Sequence, residues 1–339
     1  MKMPDDGSWD GVVSLTSDER EVLDAWGMGA VLSSTTPDSG TLNRTLLLAT
    51  TTGEYVLWGY RFRDREPVER EHAVIAHAQA RGVPAVGPLP LPSGGTILER
   101  DGRFYALFPR ASGHQIRRRD LGTREAAAMG ACLAALHRAL RDFPAERLPR
   151  RQFTPDRDAT LAGIARLEEA IRRRGGGDAT DAAALVRLAD RRAWFEQGPA
   201  DAPVDLTPLE HQAVHGDYQE ANLFFEGGRV SAVIDWERVC VIPRAWEVVR
   251  TLDLAFAFAP DPCRGFLAAY RTGLPLPLPD LDLAAEHYGL MRKHGLWLYE
   301  ALYLEGNERV RPLIHPGGFV PIAERWARLR PALEGEPRR

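Results

Sequence analysis

Lysine is almost absent from this chain of 339 residues: Lys2 and Lys293 are the only two among 43 basic side chains, the rest being arginine. That bias fits a GC-rich genome, and it leaves arginine to bind phosphate wherever a cation is needed for it. Cysteine is scarce too. Cys132, Cys240 and Cys263 are odd in number, far apart and in no metal-ligand spacing, which excludes a disulfide framework and a zinc site and points to a reducing compartment. No run approaches the roughly 18 uninterrupted apolar residues of a membrane span, and the first residues, MKMPDDGSWDGVV, lack the apolar core of a signal peptide, so a cytoplasmic location without a membrane partner is expected. The net charge of −4 argues against a surface built to grip nucleic acid.

What is present reads as a folded globular protein, with 44% hydrophobic and 27% charged residues. The length allows two or three domains, or two lobes about a cleft. Thr16 and Glu19 form a capping-box pattern ahead of a short helix over 17–26. Strands are expected over 45–50 and 54–60, then a helix over 68–80. A hairpin follows over 96–100 and 103–108, turning on Asp101-Gly102. That is a small α+β region. Beyond Gly113 the pattern becomes helical, with runs over 123–140, 157–173, 179–196, 245–258, 262–271, 282–304 and 320–331. It is interrupted by one further hairpin, 223–225 with 229–234, and by a proline-spaced loop over 274–279.

The chemistry concentrates in HGDYQEANLFF, residues 215–225, followed by VIDWE, residues 233–237. Asp217 and Asn222 lie five apart before the hairpin, and Asp235 follows its far strand, so the hairpin can return Asp235 beside Asn222. Three oxygen-bearing side chains would then share one cleft. That suits phosphoryl transfer, in which one Asp accepts a hydroxyl proton while an Asp and an Asn hold Mg²⁺ on nucleotide phosphates. Two other readings stand beside it. Asp after Gly is a common turn pair, and His215, Asp217 and Asp235 could serve a metallohydrolase, although that reading lacks the further histidines such sites use. The Gly175-Gly176-Gly177 run has neither a strand before it nor Lys-Ser/Thr after it, so it is a loop rather than a phosphate cradle.

These motifs resemble the catalytic loop and metal-binding aspartate of the aminoglycoside phosphotransferase and choline kinase-like superfamily of small-molecule kinases, with homoserine kinase-type features. The resemblance implies a bilobal protein-kinase-like α+β fold, with a nucleotide-binding N-lobe over 1–108 and a helical C-lobe over 113–339. It implies Asp217 as catalytic base, His215 as the residue shaping the loop, and Asn222 and Asp235 as metal ligands. GEYVL, 53–57, resembles the third N-lobe strand; VERE, 68–71, the helix whose Glu71 faces the phosphates; Leu107-Phe108-Pro109 with Gly113, the linker; and LAALH, 133–137, a common helix of the second lobe. The implied cofactors are ATP or GTP with Mg²⁺, adenine lying near Phe108 and Arg110, and the implied partner is a small molecule bearing a hydroxyl.

One position departs from the pattern. Trp58 stands where such kinases place a lysine. Arg61, provided Gly59 marks a bulge, and Arg44 on the preceding strand are the candidates to replace that cation beside Glu71. Acceptor contacts are expected from one side of the 282–304 helix: His287, Tyr288, Arg292, His294, Trp297, Glu300 and Tyr303. Their mixture of Arg, His and aromatics favours a metabolite or natural-product intermediate over a cationic aminoglycoside. Glu247 and His137 are expected to be structural. A nucleotide-binding protein without catalysis is the alternative that Trp58 raises.

Overall fold

The computed structural model describes residues 15–36, 44–175, 177–198 and 201–334, with Arg44 defined by its backbone alone. Helix α1 (Ser17–Asp24) begins at Thr16, whose side chain accepts the Glu19 N–H while the Glu19 carboxylate accepts the Thr16 N–H at 2.8 Å. Strands β1 (Val31–Thr35), β2 (Arg44–Thr50), β3 (Gly53–Gly59), β4 (Leu98–Arg100) and β5 (Arg103–Pro109) form an antiparallel sheet in the order β1-β2-β3-β5-β4. Alternation gives it two apolar faces. Leu46, Leu48, Leu57 and Leu107 meet Val22, Leu23 and Trp26 of the α1 region. Trp58, Phe104, Ala106 and Phe108 face helix α2 (Glu66–Ala80) through Val68, with Tyr60 in the same cluster.

The chain then becomes mainly helical: α3 (Thr123–Leu140), α4 (Arg157–Arg173), α5 (Ala179–Gln197), α6 (Arg244–Phe256), α7 (Pro260–Gly273), α8 (Leu278–His294), α9 (Trp297–Tyr303) and α10 (Ile322–Glu334). Two ribbons interrupt it. Strand β6 (His211–Val214) pairs with β9 (Cys240–Pro243), and β7 (Leu223–Glu226) pairs with β8 (Arg229–Val233), all antiparallel. The packing divides the chain into two compact units: residues 1–150, 211–247 and 251–275 in the first, and 151–210, 248–250 and 276–339 in the second. The second centres on Ile164, Leu167, Leu188, Phe195, Leu302 and Val310. Among the described residues no helix is long and apolar enough to cross a membrane.

Several sequence expectations change in the structure. β1, β6 and β9 had no counterpart. The single helix over 282–304 is two helices, because Gly295 leaves the helical conformation and its N–H closes α8 on the Met291 carbonyl. Pro279 belongs to the first turn of α8 rather than to the loop, a place where the missing N–H costs nothing. α10 continues past Pro331 to Glu334.

Within the first unit α3 and α7 approach so closely that a Cβ on Gly130 would strike the Phe266 carbonyl oxygen. Gly130→Ala is therefore expected to cost about 1 to 3 kcal/mol as the two helices are forced apart, read as a lower midpoint in urea denaturation. An unchanged midpoint would show that the pair can slide apart freely.

Candidate active site

The 215–217 turn leaves β6, which is hydrogen-bonded to β9, and leads to a short 3₁₀ turn over Glu220–Asn222 and the β7–β8 hairpin. Gly216 has φ of +80°, and a Cβ there would strike the Arg238 carbonyl oxygen, so only glycine fits this bend. His215 is fully buried. Its Nδ1 accepts the Asp217 N–H at 3.2 Å, so its Nε2–H donates to the Ile234 carbonyl at 3.0 Å. One imidazole thus ties the turn to the residue before Asp235. The Ile234 N–H reaches the Asn222 carbonyl at 3.0 Å, and Asn222 Nδ2 donates to the Asp217 carbonyl at 2.9 Å. Gln219 donates to Asp217 Oδ1 at 3.2 Å, and Arg238 lies 3.9 Å from Oδ2. His215, Asp217, Asn222 and Asp235 are therefore assembled in one place, within the first compact unit.

Asp235 follows β8 in a left-handed conformation, φ +63°, which is strained for a residue with a side chain. Burial, followed by the neighbouring Glu237 and Asp217 carboxylates, pushes its pKa up to about 6. Two carboxylates and an amide oxygen are donors that suit a hard divalent cation, and a cation would relieve the crowding that raises Asp235.

The turn rests on Glu247, at the start of α6. Its Oε1 accepts the Gly216 N–H at 2.5 Å, and its Oε2 accepts the His215 N–H at 3.3 Å and His137 Nε2–H at 2.8 Å. Arg244 donates to the Tyr270 hydroxyl at 3.2 Å, and that hydroxyl supports His137 Nδ1 at 2.8 Å. Burial alone would push the Glu247 carboxyl up, but the His137 hydrogen bond, the two histidines and the Gly216 N–H hold it below its usual value. His137, expected to be partly buried, is wholly so. The sequence carried one clue to this anchor, an acidic residue between Ala245-Trp246 and Val248-Val249, which must find partners if buried.

Beside Asp235 lies a cleft walled by Val56, Ile75, Val86, Phe108, Ala111 and Ile234, with Trp58, Glu71 and Asp235 as its polar edge. Phe108 lines this cleft. Arg110 is not among the lining residues and pairs with Glu54 at 2.7 Å. The expected arginine partner of Glu71 is replaced by Tyr60, whose hydroxyl bonds the Glu71 carboxyl. The β3–β5 register runs unbroken through Gly59↔Tyr105, so no bulge turns Arg61 toward Glu71. Arg61 is instead half exposed, 3.7 Å from Glu237. Arg44 begins β2 opposite Gly59, and its side chain lies outside the described residues. Burial, then Asp235 and Glu237, holds the Glu71 carboxyl well above the usual carboxylate range.

The candidate acceptor residues do not share one helix face. His287 and Tyr288 are buried in α8, with Arg292 and Glu300 half-buried and Trp297 exposed on α9. His294 is bonded to Thr160 and Asp201, and the Tyr303 hydroxyl to Asp181.

A sequence profile of the phosphotransferase enzyme family matches residues 34–287. Homoserine kinase of Methylobacterium nodulans is 29% identical over 264 residues, 75% of each chain. Among solved structures, spectinomycin phosphotransferase APH(9)-Ia, in complex with ADP and spectinomycin, has a similar fold, with a TM-score of 0.65 at 12% identity over 94% of this chain and 99% of its own. Amicoumacin kinase hAmiN, in complex with AMP-PNP, Ca²⁺ and amicoumacin, gives 0.60 at 15% identity over 94% and 92%. The five-stranded antiparallel sheet followed by helices is the α+β fold these kinases share.

Proposed function

Because the chain belongs to the phosphotransferase enzyme family, we propose that it transfers the γ-phosphoryl group of ATP, or of GTP, to the hydroxyl of a small metabolite or natural-product intermediate. The observation that carries this reading is the convergence of Asp217, Asn222 and Asp235 on a turn that His215 and Glu247 hold in shape. The acceptor oxygen attacks the γ-phosphorus, the bond to the β-phosphate oxygen breaks, and the hydroxyl proton passes to Asp217. Mg²⁺ would be held by Asn222 and Asp235 and, when bound, would offset the charge of the phosphates. The nucleotide would occupy the cleft edged by Phe108 and Glu71. Arg61 and Arg110, each paired with a carboxylate, would contribute through long-range attraction or a change of partner, and Arg44 stays a candidate cation at the start of β2. His287, Tyr288, Arg292, Trp297 and Glu300 are the acceptor-side candidates in the residues after 113.

The kinase relatives named above suggest the first acceptors to try. Steady ADP release with homoserine, other amino alcohols and spectinomycin identifies the substrate class. Nucleotide-dependent thermal stabilisation without turnover on any alcohol supports instead a nucleotide-binding protein without catalysis, a reading favoured by the tryptophan at position 58.

Asp235→Ala is expected to remove the Mg²⁺-dependent part of nucleotide binding, a loss of about tenfold or more, since it deletes a charged oxygen ligand. Calorimetric titration with and without a chelator reads it directly. Equal Mg²⁺ dependence in parent and variant would sink the metal role.

A further inference from the structure

Two polar atoms on the wall of the cleft have no hydrogen-bond partner: the indole Nε1 of Trp58 and Oε2 of Glu71. Both are sealed from water, a condition that native structures rarely leave unexplained. The groups nearby are already committed. Tyr60 bonds Glu71 and, at 3.0 Å, His72 Nε2; His72 Nδ1 bonds Thr96 at 2.7 Å. That chain ends at Thr96 and leaves the Trp58 N–H and one Glu71 oxygen without a partner, on two residues that line the cleft.

Among the described residues, the basic groups that could serve this place are engaged elsewhere. Lys293 is held by both carboxylate oxygens of Asp201, at 2.8 and 2.9 Å, and Arg61 lies against Glu237. Trp58 sits on β3 opposite Ala106, its side chain on the same sheet face as Phe108. The indole N–H is a donor that never accepts, so its partner must be an acceptor. Bound nucleotide would bring phosphate oxygens to this polar edge, beside Asp235.

We propose that Trp58 is a phosphate-binding residue whose indole N–H donates to a nucleotide phosphate oxygen as the cleft parts to admit it. A neutral donor thus stands where related kinases use a lysine. The inference rests on the nucleotide reading above and deepens it. A hydrogen bond from an uncharged donor gives direction without attracting anions over distance, so Trp58 acts on the docked nucleotide and not on its approach.

The test is calorimetric binding of adenosine, ADP and a non-hydrolysable ATP analogue, with Mg²⁺, to the parent and to Trp58→Phe, which keeps an aromatic ring and removes the N–H. The expected result is an approximately tenfold loss for ADP and the analogue, the range for a hydrogen bond to a charged group, with adenosine changed less than about twofold. Equal losses for all three would make the ring a wall for the base and overturn the inference, as would no loss at all. A parent that binds adenosine and ADP equally overturns it while leaving the nucleotide site in place. A parent that binds none of the three overturns the nucleotide reading and this inference with it. Should Trp58→Phe not fold, the parent still decides. Its Trp58 indole proton, identified by selective isotope labelling, is expected to shift on adding ADP and not on adding adenosine. A Trp58 signal indifferent to ADP overturns the proposal.

Discussion

Asp217→Asn is expected to lower turnover at least about a hundredfold, the usual cost of removing a general base, while nucleotide affinity and thermal stability stay close to those of the parent. The substitution keeps shape and volume. The shorter hydrogen bond from Asn222, 2.9 Å, goes to the backbone carbonyl of residue 217, which the change leaves in place, and only a long 3.5 Å contact goes to the side-chain Oδ2. Gln219 can still donate to the remaining side-chain oxygen. Removing this charge also relieves Asp235, which Asp217 helps to push up. Besides acceptance of the hydroxyl proton, only the long 3.9 Å ion pair with the half-exposed Arg238 is given up. ADP-release kinetics with the identified acceptor, alongside nucleotide titration, separates the two effects. Retention of more than about a tenth of the rate would remove Asp217 from the role of base.

Glu247→Ala should be the most damaging single change to the fold around the site, at about 3 to 5 kcal/mol, the range for breaking a buried charged pair from one side. Glu247 and His137 are both wholly inaccessible to solvent, and truncation strands the His137 N–H together with the N–H groups of His215 and Gly216. Gly216 is already held in a left-handed turn, so its geometry depends on that anchor. Glu247→Gln keeps the carbonyl oxygen but turns an amide donor toward donors, and is expected to fall between. The carboxyl is held below its ordinary value, so its contribution is complete above the unfolded pKa of about 4.3 and fades as pH falls through the lower folded value. Denaturation midpoints of the two variants at neutral pH, compared with the parent, are the measurement. An alanine variant as stable and active as the parent would show that the turn holds itself.

How far these features were legible depends on the range over which each signal acts. HGDYQEANLFF with VIDWE places four side chains because a hairpin is a local device, its register set by Gly227-Gly228. The bounds of α3 and α4 could be read because an acidic or small residue precedes each amphipathic run. β6 (HQAV) and β9 (CVIP) are four residues each, too short for periodicity to separate strand from helix, and they pair across a span of 25 residues. Gly295 was hidden by the helix formers around it. The Glu247 anchor and the Tyr60 contact with Glu71 could not be read because both join residues from different elements. No spacing rule brings Gly216 to α6, or decides that a tyrosine rather than an arginine meets a buried carboxyl.

The interleaving of the two compact units bears on how the protein is made. α3 leaves the ribosome with Ala126, Met129, Leu133 and Leu136 ready for burial, but the helix it packs against, α7, begins at Pro260. At about 5 to 20 residues per second, that partner is roughly 6 to 24 s away. In the interval residues 151–210, which belong to the other unit, are made. The order of synthesis thus runs against the order of assembly: the half that bears HGDYQEANLFF can close only after residue 275 has emerged, and until then α3 has α2 beside it but lacks its main partner.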